Sequence, residues 1–415
     1  MIGVVGEGRE IAAGGGFMRV QSLPEASRFR DNVDRRYITR LVEELIRIPS
    51  VTGQGDAEER AARMLVARMD ELRMETSCQR VSAGGANAVG RLPGDPAGPV
   101  LILNGHLDVV PAGEGWTAPA FEPVIRDGKI FGRGAADMKG ALAAMLGAAK
   151  LVHDMRLPLC GTALFSFVCD EEDGNRGVAR FLADCPPADF AIVGEPTGMR
   201  IAAAHRGVIR YRITTRGCPS HIGRTDSAQN AIYRMIGVLE AVRAHDAALR
   251  RISHSLLPPA MLAATVIRGG VKDNMTPGEC VVTLDRRLLP GETDRSATDA
   301  LRAALYEAVP GEPPGIEPYL YMPPGEADTR NGQVDALRTL HREYYGGPAE
   351  ICGFGATCEQ AVFLNHGINT VICGPGNIDQ AHTADEWASL DEICDAAGFY
   401  AWCIAHAAQL ANPTA

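Results

Sequence analysis

Four short apolar runs in this chain each end on an acid or a histidine, and that restricts the fold more than anything else in the sequence. VLILN (100–104) runs into His106 and Asp108, and ALFSFVC (163–169) into Asp170, Glu171 and Glu172. FAIV (190–193) runs into Glu195, and TVIC (370–373) passes through a Gly-Pro-Gly turn toward His382. Unbroken apolar runs of this length suit strands covered on both faces. Long apolar helical patterns lie between or after them, notably KGALAAMLGAAKLV (139–152) and DEICDAAGFYAWCIAHAAQL (391–410). The alternation predicts an α/β fold whose largely parallel sheet is covered by helices. Ligands gather at the carboxyl ends of such strands, so all four runs deliver polar groups to one edge. Asp137 joins them from the Gly-rich turn GRGAADMKG (132–140), at the start of an apolar helix.

Between residues 202 and 321 the texture changes. Alternating strands (GVIRYRITTRG, MLAATVIRGG, ECVVTLDRRLL, IEPYLYM) are interleaved with helical stretches near 227–248 and 294–308. The order β-α-β-β-α-β predicts a small α+β domain inserted into the larger one. The larger domain would comprise 33–201 and 322–415. Residues 1–32 are Gly-rich and read as a weakly structured extension.

Composition narrows the class of partner. A formal net charge of -10, spread in short runs, argues against nucleic acid and anionic membrane as main partners. No stretch approaches the roughly 18–20 apolar residues of a spanning helix. The N-terminus lacks a basic segment followed by a sustained apolar core, so no export signal is expected. The 11 scattered cysteines include no CxxC pair and read as reduced thiols of a cytoplasmic protein.

Taken singly, each polar feature has an ordinary reading. A His-x-Asp pair can be a surface hydrogen bond, Asp137 a helix N-cap, Glu195 a turn residue and His382 a loop cap. Their convergence is what matters. Burying several carboxylates together is costly unless cations neutralise them. Two histidines with three or more carboxylates suit Zn²⁺, Co²⁺ or Mn²⁺.

At these residues the chain resembles the acetylornithine deacetylase/succinyl-diaminopimelate desuccinylase family, related to aminoacylases and glutamate carboxypeptidases. The matching segments are GHLDVVP (105–111), GWTAPAFEPVIRDGKIFGRGAADMKG (115–140), DEEDG (170–174), VGEPT (193–197) and GPGNIDQAHTADEW (374–387). HRG (205–207), GCPSHIG (217–223), DNMTP (273–277) and LDRRLLPGE (284–292) also fit. The resemblance implies a site for two metal ions, Zn²⁺ with Co²⁺ or Mn²⁺ as alternatives. His106, Asp137 and Glu195 would hold one ion; Asp137, Glu172 and His382 would hold the other. Asp108 would orient His106, and Glu171 would be the general base. His221 would stabilise an oxyanion from the partner subunit of a homodimer formed through the inserted domain. Asn274 and Arg287 would bind substrate, although Arg287 equally fits a cross-strand ion pair. After FGAT (354–357), relatives place an Asp or a Thr-Glu pair where this chain has Cys358-Glu359, a departure in a segment that lines the substrate pocket. The implied activity is hydrolysis of the amide bond of a small N-acyl amino acid, with a dipeptidase or carboxypeptidase as the alternative. The complete ligand set argues against a non-catalytic binding protein.

Overall fold

The computed structural model describes residues 23–224, 230–309 and 311–411. A nine-stranded sheet forms the heart of the larger domain. Its middle is parallel: Thr162–Val168, Val100–His106, Phe190–Pro196 and Thr370–Gly374 lie side by side. Antiparallel strands flank them, Glu75–Arg80 and Ala86–Leu92 on one side, Ile201–His205 and Gly325–Glu326 on the other. Ile351–Phe354 pairs parallel with Ile201–His205.

The central strands are apolar throughout because both faces are covered. Leu101 and Leu103 pack into one core with helices Gly140–Met155 and Leu390–Ala405, while Ile102 points into another with Arg176–Asp184 and Gln360–Asn365. Phe165 and Phe167 against Leu164 and Val168 repeat the division, as a side-chain period of two requires. Val100–His106 is also the strand at which the winding reverses. The next strand of this sheet along the chain, Thr162–Val168, pairs on one side and the one after it, Phe190–Pro196, on the other. The crevice at such a reversal is where open α/β sheets bind ligands.

Residues 207–322 build a separate antiparallel sheet, in the order Met261–Gly269, Glu279–Leu288, Gly207–Arg216, Gly315–Met322. Helices Ala231–Leu249 and Asp294–Ala308 contribute to its own core around Tyr211, Leu284 and Leu301. A two-residue ladder pairs Ser220–His221 with Met275–Thr276.

Two boundaries differ from the sequence expectation. Ile201–His205, most of which was assigned to the insert, belongs to the large sheet. All five of its residues are buried, the mark of a doubly covered strand, whereas Gly207–Arg216 alternates buried and accessible positions along most of its length. The extension expected over 1–32 is shortened as well. Ala26–Asp31 is helical, and buried Phe29 packs edge-on against Trp402 with ring centroids 5.2 Å apart. The remainder of that expectation, residues 1–22, lies outside the described residues. Among the described residues no helix is long and apolar enough to cross a membrane.

Candidate metal centre

The carboxyl ends of the central strands converge on Asp137, held in the turn between strand Lys129–Phe131 and helix Gly140–Met155. Two glycines let that turn approach the sheet. A Cβ on Gly105 would lie 2.5 Å from Met138 Cε, and one on Gly194 would lie 2.9 Å from the same atom. The Asp137–Met138 peptide is cis.

Asp137 stands between two histidines. Its Oδ1 is 3.0 Å from His106 Nε2, and its Oδ2 is 3.5 Å from His382 Nε2. Glu195 Oε1 is 3.5 Å from His106 Nε2, and Glu172 Oε1 is 3.1 Å from His382 Nε2. The five residues proposed as ligands are thus brought together in two groups that share Asp137. Ligand atoms of a tetrahedral ion with bonds of about 2.1 Å stand about 3.4 Å apart, so these spacings fit a metal. The imidazole tautomer fits too. His106 Nδ1 is 2.9 Å from the Asp108 carbonyl oxygen, which can only accept, so Nδ1 carries a proton, and once Nε2 gives up its own proton its lone pair faces the carboxylate oxygens as a metal ligand's would. A cation between them resolves that opposition.

Electrostatics argue the same way. Burial, then the neighbouring Asp137 carboxylate, pushes Glu195 up to about 8. Burial raises Glu171 well above the usual carboxylate range and raises Glu172 as well. Burial alone would depress His106, yet Asp137 and Glu195 hold it well above the ordinary imidazole value. His382 is raised chiefly by its hydrogen bond to Glu172. Among the described residues, the only basic side chains within ion-pair distance of Asp137, Glu172 or Glu195 are these two histidines. The cluster is a set of carboxylates whose ionised forms burial disfavours and a divalent ion would stabilise.

Asp108 acts differently from the expectation. Its carboxylate Oδ1 is 3.7 Å from His106 Nδ1, and the backbone carbonyl makes the close contact instead. The carboxylate accepts the N–H groups of Glu171 and Glu172, each at 3.1 Å, together with the Thr52 hydroxyl at 2.8 Å. It therefore holds the turn that carries the proposed base. Glu171 itself is 6% exposed and lies outside the ligand pairs.

The residues proposed from the insert stand elsewhere. His221 lies exposed on the short ladder with Met275–Thr276, and Asn274 precedes that ladder, also exposed. Arg287 sits on Glu279–Leu288, its Nε 2.7 Å from Asp285 Oδ1 within the same strand. Arg206 lies near it: burial, then the Arg287 charge, lowers the Arg206 pKa.

Of three buried acids, Glu58 and Glu386 escaped notice in the sequence, and Glu359 was noted only within the Cys358-Glu359 departure. Fully buried Glu386 accepts the N–H groups of Ala136 (2.8 Å) and Asp137 (3.1 Å) on Oε1, and that of Gly134 (3.0 Å) on Oε2. Its Oε2 also pairs with buried Arg133 at 2.7 Å. Glu359 is fully buried, with a carboxylate oxygen in one group with those of Glu171 and Glu195, all within 4.8 Å of one another. Glu58, at the start of helix Ala57–Glu71, is the third. Acids that serve backbone amides carry no spacing of their own, so the only available signal was their position inside motifs such as AHTADEW (381–387).

Histidine and carboxylate donors gathered at the carboxyl edge of a parallel sheet are a donor set suited to a divalent metal ion. The model of the peptidase family M20/M25/M40 matches residues 102–406, and the chain belongs to that family. It is 30% identical over 368 residues to an acetylornithine deacetylase of Photorhabdus laumondii, covering 85% of this chain and 92% of that one. It is also 30% identical over 319 residues to a succinyl-diaminopimelate desuccinylase of Marinobacter nauticus, covering 71% and 82%. Among solved structures, an M20 metallo-carboxypeptidase from Sulfolobus solfataricus superposes with a TM-score of 0.73 at 18% identity, covering 88% of this chain and 98% of that one. A dinuclear metal binding M20 peptidase from Bacillus subtilis gives 0.69 at 15%, covering 92% and 99%. The protein is an M20-type hydrolase acting on amide bonds.

Proposed function

We propose that this enzyme removes the acyl group from a small N-acyl amino acid, in the manner of an acetylornithine deacetylase. The observation that carries the reading is Glu171: a buried carboxylate of raised proton affinity, grouped with Glu195 and next in the chain to Glu172, beside two sets of candidate ligands that share Asp137. His106, Asp137 and Glu195 would hold one divalent ion, and Asp137, Glu172 and His382 the other, with zinc favoured and cobalt or manganese as alternatives. Bound there, such ions supply a water of lowered pKa and polarise the scissile carbonyl. Glu171 takes the proton of the attacking water and returns it to the departing amine. Asp108 fixes Glu171 through its amide, so the base does not have to be ordered during the reaction.

Arg287, with Arg206 behind it, would receive the substrate carboxylate. Asp285 is shared between Arg287 and Arg210, which leaves positive charge in excess there. Asn274 would contact the substrate as well, and His221 would act from the insert of a second copy in a homodimer. Exposed Val266, Ile267, Tyr233 and Ile236 give that domain an apolar outer surface suited to self-association. The eleven unpaired cysteines support a reducing, cytoplasmic setting.

The alternative is a dipeptidase or carboxypeptidase using the same centre, and the Cys358-Glu359 departure favours keeping it in view, since Glu359 lies against Glu171 and Glu195. A panel of N-acetyl, N-succinyl and dipeptide substrates, assayed with Zn²⁺, Co²⁺ and Mn²⁺ in turn, tests the reading. We expect acyl amino acids to be cleaved with kcat/KM at least tenfold above any dipeptide. The reverse order selects the alternative. No hydrolysis at all by protein with two ions per chain, verified by elemental analysis, sinks both.

A further inference from the structure

Helix Ala57–Glu71 opens with a carboxylate turned away from solvent. Glu58 is 5% exposed. Its Oε1 accepts the N–H of Asp170 at 2.9 Å, and its Oε2 accepts the N–H of Gly53 at 3.2 Å. Asp108 takes the next two amides of the same turn, those of Glu171 and Glu172. Three successive N–H groups, directly after strand Thr162–Val168, are therefore held by two buried carboxylates from other parts of the chain.

The turn needs such restraint. Asp170 has φ +66°, a left-handed conformation that non-glycine residues rarely adopt. Its own carboxylate is engaged by Arg176. Its carbonyl accepts from Gly174 (3.1 Å) and Asn175 (2.7 Å). At its other end Glu58 is tied to the loop that supports Asp108. The Ser50 hydroxyl donates to the Leu107 carbonyl at 2.7 Å, Val109 N–H donates to the Ser50 carbonyl at 2.9 Å, and Thr52 donates to Asp108. Glu58 is thus the strut between the loop beneath His106–Asp108 and the turn bearing Glu171–Glu172.

We propose that Glu58 is a positioning residue for catalysis: through the Asp170 amide it sets where Glu171 and Glu172 point. The proposal rests on the reading of Glu171 as base and Glu172 as ligand. The chemistry of the acceptor makes it testable. A carboxylate offers two acceptors and no donor, whereas an amide of the same shape offers one of each. In Glu58→Gln one amide N–H must face the N–H of either Gly53 or Asp170, so the strut loses one end while the packing stays.

The test uses full-length protein and two independent readouts. For Glu58→Gln we expect kcat to fall roughly 10–100-fold with KM within about twofold. Hydrogen exchange in peptides spanning 169–175 should quicken at least tenfold in the metal-free protein. Met69→Ala, a core truncation farther along the same helix, is the control for stability alone and should leave both readouts near wild type. Should Glu58→Gln not fold, Glu58→Asp, with its charge withdrawn by one methylene, replaces it with the same expectation. Unchanged kcat and exchange overturn the proposal. So does an equal fall in kcat for Met69→Ala, because the role would then be structural only. Full activity of Glu171→Ala would defeat the functional reading instead, while the exchange result would still judge the strut.

Discussion

Glu386→Gln should destabilise this enzyme severely while changing almost nothing in shape. In the native chain Oε1 accepts two N–H groups and Oε2 accepts a third together with the Arg133 guanidinium. A glutamine keeps one acceptor oxygen, so its amide nitrogen must face at least two donors. Arg133, 2% exposed, keeps the Ala112 carbonyl at 3.1 Å but loses its counter-charge. Removing one member of a buried ion pair costs about 3–5 kcal/mol, and stranding a buried N–H about 1–3, with the two not additive. A net loss of about 3–5 kcal/mol follows, against a total stability of about 5–15 kcal/mol for a folded domain. For a domain of this size that corresponds to a fall in Tm of roughly 5–9 °C. Calorimetry on metal-free protein at pH 7 measures it. Arg133→Met combined with Glu386→Gln should recover part of the loss, since the double variant buries no unpaired charge. Because Glu386 also holds the amide of Asp137, zinc affinity should drop about 10–100-fold. A Tm change under 2 °C, or a double variant worse than both singles, would refute the reasoning.

The neighbouring glutamates should separate cleanly: Glu171→Ala loses several orders of magnitude in kcat with both ions retained, Glu172→Ala loses an ion as well, and equal metal loss by elemental analysis would mean the roles are misassigned. Arg287→Lys should raise KM about tenfold or more for carboxylate substrates, because the fork is lost although the charge remains; equal handling of acid and amide substrates by wild type would exclude the pairing. Co-expressed Glu171→Ala and His221→Ala chains should regain roughly a quarter of wild-type activity in hybrid dimers if His221 serves its neighbour's site, and stay inactive if it serves its own. His205 donates from Nδ1 to the Arg206 carbonyl (3.0 Å) and accepts Ala361 N–H on Nε2 (3.2 Å), and burial pushes it down to about 4. The unfolded chain therefore takes up this proton first as pH falls, so stability present above about pH 6.5 is lost between there and pH 4. By pH 5 the loss is ~2 kcal/mol, and urea titrations of His205→Gln should lack that share.

The central strands were legible because burial on both faces forces unbroken apolar runs, and only their ends can carry charge. His106, Glu172 and Glu195 stand at or just past such ends, and the residues themselves pointed to them. Glu58 and Glu386 were not legible for a physical reason. Each lies beside an acid more accessible than itself, Glu59 and Asp385, and a carboxylate that accepts backbone amides requires no partner of fixed type or spacing. Ile201–His205 was misplaced because IAAAH is too short for period to decide which sheet claims it. Helix Ala26–Asp31 was missed because one aromatic anchor, Phe29, is weak against a Gly-rich approach.

The chain enters the insert from Ile201–His205 and leaves it into Gly325–Glu326, and these two segments are hydrogen-bonded neighbours, Gly325 opposite His205. A domain whose two connections lie side by side is a cartridge. Its removal would leave two chain ends already adjacent, so the parallel sheet and its cluster of donors could be closed by a short turn with no strand exchanged. The same geometry lets residues 207–324 change by substitution, enlargement or loss while the parallel sheet and its cluster of donors stay under a separate set of packing constraints.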